Sequence, residues 1–158
     1  MTRWLVPLLA VVALGACDKG KDADKGKGGD KKSKGDDGGR DRAEAQLMLN
    51  KIGKSAKTAY VENAEFPKGS AGLTPATACC STPDKKCKPD PSAWSGSPVW
   101  KALDISLDEP HVFQYSYEGD GKTFVAKAVG DPGCTGTPIT LRVEGSAAGG
   151  NPQITLSE

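Results

Sequence analysis

Between Asp18 and Arg42 the chain carries nine basic and seven acidic side chains, seven glycines and no aromatic or large aliphatic residue. Such a stretch has nothing to bury that would offset the entropy of ordering it. A fold therefore has to be built from residues 43–158, one domain's worth of chain. Aspartates interrupt the lysines throughout, so even around Lys31-Lys32-Ser33-Lys34 the segment reads as a solvated tether rather than a lipid-binding patch, with nine minus seven leaving a charge of +2. As a flexible coil of that length it would reach about 25–30 Å. The part that follows carries eleven basic and thirteen acidic side chains, a formal −2. No basic stripe of the kind that tracks phosphates is visible, and nucleic acid is not an expected partner.

Ahead of the tether, Arg3 precedes ten apolar residues from Trp4 to Ala13, and small residues lead to Cys17. The run is too short for a membrane span, which needs about 20 apolar residues, and its layout is that of a secretory signal, to be set aside from the fold. Leu14-Gly15-Ala16-Cys17 resembles the lipobox of bacterial lipoprotein precursors. That resemblance implies cleavage after Ala16, a diacylglyceryl thioether on Cys17 and an N-acyl chain such as palmitate. Two or more chains give stable anchoring where one does not. The expected place is the cell envelope, with the folded domain in the periplasm or at the cell surface, and the membrane is the partner met through Cys17. In some Gram-negative lipoproteins an aspartate after the lipidated cysteine goes with retention in the inner membrane, so the resemblance makes Asp18 a weak pointer there. An ordinary signal peptide would instead leave Cys17 as a free thiol in an oxidising compartment, a liability.

Ala45, Met48, Leu49, Ile52, Ala56, Ala59 and Tyr60 recur at spacings of three and four, which predicts a helix from Arg42 to about Glu62. Asp41 is placed to cap it. Lys51, Lys54 and Lys57 fall off the apolar face, and Gly53 weakens the helix by up to about 1 kcal/mol unless a neighbour packs closely there. Phe66-Pro67 and Gly69 mark its end. From Pro67 to about Val99 the chain reads as irregular, with five further prolines and Cys79, Cys80 and Cys87. Irregular chain of that length needs something to fix it, and disulfides are the expected means outside the cytoplasm. With Cys17 set aside, four cysteines remain. Adjacent Cα atoms lie about 3.8 Å apart, below the usual disulfide range of about 4.4–6.8 Å, so Cys79–Cys80 is disfavoured. Two pairings stay open: Cys79–Cys87 with Cys80–Cys134, or Cys80–Cys87 with Cys79–Cys134. A zinc site lacks the paired C-x₂₋₄-C spacing and has only His111 to draw on; no metal and no cofactor are expected.

The C-terminal half alternates as strands do. Phe113, Tyr115 and Tyr117 share one face, Gly119-Asp120-Gly121 contains a hairpin signal, and Phe124, Ala126 and Ala128 follow. Ile139, Leu141 and Val143 form a third strand, and Ile154 with Leu156 a short fourth. An antiparallel sheet with one buried face needs the helix to cover it. The expected fold class is α+β: an N-terminal helix packed on a small antiparallel sheet, with a disulfide-stabilised loop. The organisation is residues 1–16 signal, 17–42 lipidated cysteine and tether, and 43–158 globular domain.

A helix, Phe66-Pro67, a Thr74-Pro75 loop with cysteines, Trp100-Lys101-Ala102-Leu103, Phe113-Gln114-Tyr115-Ser116-Tyr117 and Phe124-Val125-Ala126-Lys127-Ala128-Val129-Gly130-Asp131 together resemble the globular part of type IV pilins and type II secretion pseudopilins. The resemblance spans about Ala43 to Val143 and implies a pilin-like head. The departures are as informative. A prepilin carries a long apolar helix that builds the filament core; here that stretch is the tether, and the membrane link is lipid. Some pseudopilins bind calcium near their last strands, but Gly130-Asp131-Pro132-Gly133-Cys134 offers one carboxylate where several oxygens are needed. Asp131 reads as a turn residue.

No nucleophile elbow, HExxH or P-loop is present. His111, beside Pro110, reads as a surface or edge residue, and Asp104, Asp108 and Glu109 as a solvated loop. Trp94 is the aromatic best placed to meet a partner, while Trp100 reads as core. The expected function is non-enzymatic: a lipid-anchored envelope protein whose pilin-like domain binds another protein, as an accessory to a pilus or secretion system. The alternative is a surface ligand-binding or adhesin module.

Overall fold

The computed structural model describes residues 37–158; the apolar leader, Cys17 and most of the tether lie outside the described residues. Helix α1 runs Asp37–Asn63, followed by β1 (Gly69–Thr74), a single 3₁₀ turn (Cys79–Ser81), short helices α2 (Pro91–Ser95) and α3 (Pro98–Ala102), and then β2 (Phe113–Gly119), β3 (Thr123–Gly130), β4 (Ile139–Ser146) and β5 (Gln153–Ser157). The five strands form one antiparallel sheet in the order β1-β2-β3-β4-β5, each paired with its neighbour in sequence. The class is α+β. Among the described residues no helix is long and apolar enough to cross a membrane.

Helix α1 begins five residues before Arg42, so Asp41 lies within it rather than at its cap. Ala45, Leu49, Ile52 and Ala56 are buried in the core, while Lys51, Lys54 and Lys57 are exposed. The helix meets β4 above all, then β3 and β5. Gly53 permits this approach, because a Cβ there would sit 3.0 Å from Ile154 Cγ2 and 3.4 Å from Val143 Cγ2. Gly145 has the same role within the sheet: it pairs directly with Phe124, whose ring occupies the space a Cβ would need.

The inward face of the sheet carries Tyr115 and Tyr117 on β2 beside Ala128 and Ala126 on β3, which in turn face Leu141 and Val143 on β4. The small residues on the central strand leave depth for large neighbours. β1 was not expected. Its sequence, Gly-Ser-Ala-Gly-Leu-Thr, has low strand propensity, and the ladder to β2 supplies what its side chains do not; only Ala71 and Thr74 turn inward. α2 and α3 likewise replace part of the expected irregular stretch. Each opens on a capping residue followed by proline: Asp90 Oδ1 accepts from the N–H groups of Ser92 and Ala93, and Ser97 Oγ from that of Trp100. Proline at the first helical position loses no intrahelical bond.

The two short helices deliver Trp94 and Trp100 onto β1 and β2. A continuous run of aromatic contacts passes from Tyr115 to Trp94, Trp100, Tyr117, Phe124, Phe66 and Tyr60, with neighbouring ring centroids 4.8–6.3 Å apart. Its polar ends are mostly satisfied: Trp100 Nε1 donates to Thr74 Oγ1 at 3.0 Å, and the Tyr117 hydroxyl to the Pro67 carbonyl at 3.0 Å. Burial pushes the hydroxyls of Tyr115 and Tyr117 to titrate well above the usual tyrosine value, with the Glu44 charge adding to the effect at Tyr115.

Candidate functional site

The cysteine corner lies where the 3₁₀ turn, the segment before β2 and the β3–β4 connection meet. Cys79 pairs with Cys87 and Cys80 with Cys134, at Cα separations of 4.5 and 5.5 Å. The first of the two open pairings is therefore the one formed. Adjacent cysteines can serve different bridges because they sit on one tight turn: Cys79 is buried, while Cys80 is half-buried and reaches across to the β3–β4 connection. Thr82 braces the short loop, its hydroxyl accepting from the Lys86 N–H at 3.1 Å and lying 2.8 Å from the carbonyls of Cys79 and Lys86.

His111 is placed against the inner bridge. It forms an isolated antiparallel pair with Cys87, each backbone N–H donating to the other's carbonyl at 2.8 and 3.1 Å. The reading of His111 as a surface or edge residue is corrected by this pairing, which draws the ring under the cysteine loop and leaves it 2% exposed. Its Nδ1 lies 3.0 Å from the Glu109 carbonyl, an acceptor only, so Nδ1 carries the proton. Nε2 is buried without a hydrogen-bond partner among the described residues. The ligand atoms of Cys79, Cys87 and His111 all lie within 4.8 Å of one another. The signal that could have found this trio is the run of residues that turns at Pro110 to meet Cys87, which is a tertiary contact and has no fixed spacing.

Asp131 closes the turn that carries Cys134. Its carboxylate accepts from the Gly136 N–H at 2.6 Å and from the Thr135 hydroxyl at 3.3 Å, and its backbone carbonyl accepts from the Cys134 N–H at 2.9 Å. Backbone hydrogen bonding, from Thr135 first, lowers its carboxyl below the ordinary value of 3.8. A carboxylate so engaged is a turn residue, as its sequence context indicates. Asp104, Asp108 and Glu109 are exposed.

Trp94, expected to face a partner, is 1% exposed, its ring packed 5.3 Å from Trp100 and 6.2 Å from Tyr115. The Asp90 cap starts α2 so that this ring points into the core; its role here is packing. Cys17 lies outside the described residues.

The outward face of the sheet carries a row of exposed and half-buried side chains. Ser116, Glu118, Val125, Lys127, Arg142 and Glu144 point away from the core, and a shallow depression of about 440 Å³ opens among Ser70, Gly72, Glu118, Lys127 and Arg142. Arg142 and Glu144 form an ion pair on it. No protein-family model, curated protein or solved structure matches the chain.

Proposed function

We propose that this chain is a lipid-anchored protein of the bacterial cell envelope, held by acyl chains on Cys17, whose pilin-like domain acts without catalysis by binding another protein. The partner belongs to a pilus or secretion system, to which this protein is an accessory. The observation that supports the reading is the way the sheet is covered. α1, α2 and α3 take one face, β1 and β5 are the edge strands, and on the other face Ser116, Glu118, Val125, Lys127, Arg142 and Glu144 are exposed or half-buried. That face is broad, shallow and mixed in charge, which suits a protein surface better than a small substrate. The order of elements, a long helix, then a bridged loop, then the hairpin strands β2 and β3, is in keeping with the pilin resemblance, to which β1 is an addition. The lipobox supplies the anchor that the missing filament helix would otherwise provide. An adhesin or ligand site built on Trp94 has lost its aromatic platform, since the ring is in the core.

The test joins anchoring to binding. Metabolic labelling with an alkynyl palmitate should mark the wild-type chain and leave Cys17→Ser unmarked. Crosslinked pull-down from membranes should then recover identified pilus or secretion subunits with the wild type, and lose them both with Cys17→Ser and with the doubly charge-reversed Lys127→Glu/Arg142→Glu. Unlabelled wild-type protein removes the lipoprotein reading. Labelled protein that recovers only generic envelope proteins removes the accessory role.

A further inference from the structure

We propose that Cys79, Cys87 and His111 form a site for a soft metal ion, Cu(I), which is filled when the Cys79–Cys87 disulfide is open. Three observations converge on it. The residues are buried, at 4%, 2% and 2% exposure, with their ligand atoms mutually within 4.8 Å. The histidine is prepared as a metal-binding histidine is: one ring nitrogen donates to a backbone carbonyl, fixing tautomer and orientation, and the other is left with its lone pair. That second nitrogen, Nε2, is a buried polar atom with no hydrogen-bond partner among the described residues, an uncommon state that calls for an explanation. A metal held jointly with the two sulfurs supplies the missing partner.

The backbone pairing of Cys87 with His111 holds two of the three ligand carriers side by side without help from the disulfide. The outer bridge, Cys80–Cys134, involves neither ligand sulfur. The ligand count selects the ion. Structural zinc takes four ligands, and among the described residues no fourth His, Cys, Asp or Glu joins the group. Two thiolates and one imidazole in a dry pocket favour a soft ion content with three.

Disulfide and metal exclude each other. Opening the bridge breaks the Cys79–Cys87 S–S bond, takes two electrons and two protons from a dithiol donor, and leaves that donor as a disulfide. Each resulting thiol that ligates Cu(I) gives its proton to solvent. The domain would thus trade a covalent cross-link for a coordinate one at the same place, and carry copper only under reducing conditions.

The test uses the full unlipidated chain with Cys17→Ser, reduced anaerobically by a phosphine and titrated with Cu(I) against a chromophoric Cu(I) chelator. One Cu(I) per chain is expected, with two sulfur and one nitrogen neighbours by X-ray absorption and a near-native circular dichroism spectrum. His111→Gln should weaken binding at least tenfold. Cys79→Ser/Cys87→Ser should abolish it although Cys80 and Cys134 are kept, and the oxidised protein should bind none. Undiminished binding in either variant overturns the proposal, as does folded, reduced protein that binds no Cu(I) or prefers Zn(II). A reduced chain that is unfolded and gains no structure with Cu(I) overturns it equally.

Discussion

The two halves of the sheet are covered by different means. Over β3, β4 and β5 lies α1, a long helix whose apolar face repeats at helical spacing and is aliphatic, with Ala45, Leu49, Ile52 and Ala56 buried and Gly53 set against Ile154 and Val143. Over β1 and β2 lie two five-residue helices and a looped segment, which place two tryptophans and are tied down by two disulfides. A long helix carries its own hydrogen bonds and needs only a stripe to bury. A five-residue helix is far too short to persist alone, so it depends on large rings, capping residues and covalent closure. The comparison separates what local order can hold from what must be stapled.

Trp100→Ala should break the stapled half most severely. The ring is fully buried, touches Trp94 and Tyr117, and donates to Thr74. A loss of about 3–5 kcal/mol is expected, read by urea denaturation; a loss under about 1 kcal/mol would mean that the loops hold β1 without it. The bridges come next and differ from each other. Loop closure over 54 residues corresponds to about 4 kcal/mol for Cys80–Cys134, and over 8 residues to about 2.5 kcal/mol for Cys79–Cys87. Replacing each pair by alanines and comparing unfolding midpoints should give that order, and the reverse order would show that native packing, rather than loop length, sets their worth.

The smallest effect concerns the turns. Hydrogen bonds from backbone N–H groups, those of Thr123 and Lys122 at Asp120 and chiefly that of Thr135 at Asp131, hold both carboxyls below 3.8. A depressed native value means that the stability each contributes is complete above 3.8 and is lost as pH falls through the lower native value. Asp120→Asn and Asp131→Asn should each flatten the loss of stability on acidification below about pH 4, without changing the ranking of the larger effects. Acid titrations of unfolding free energy that superimpose on the wild type would remove these turns from the acid response.

Where the sequence could be read, periodicity carried the information. Ala45, Leu49, Ile52 and Ala56 announce the buried stripe of α1, and Phe113, Tyr115 and Tyr117 the inward face of β2, because both patterns are local. Gly53 marked a close approach that Ile154 and Val143 indeed make. β1 escaped notice because Gly69–Thr74 has no such alternation; its pairing with β2 is a property of the partner strand. α2 and α3 left a signal in Asp90-Pro91 and Ser97-Pro98, hidden among other prolines. Trp94 looked like an anchor for a partner because it is an aromatic beside a long loop, and only the fold turns it inward.

By itself the sequence determined the composition break before the folded part, the long helix, four strands with their hairpin signal, and the exclusion of a Cys79–Cys80 bridge. Each follows from residues within a few positions of one another. The choice between the two remaining pairings, the edge strand β1, the burial of Trp94 and the meeting of His111 with Cys79 and Cys87 were decided by tertiary structure alone. The contacts that decide them join residues up to 54 positions apart along the chain, and no local rule of spacing reaches that far: such contacts exist only once α1 and the sheet have fixed where the loops must cross.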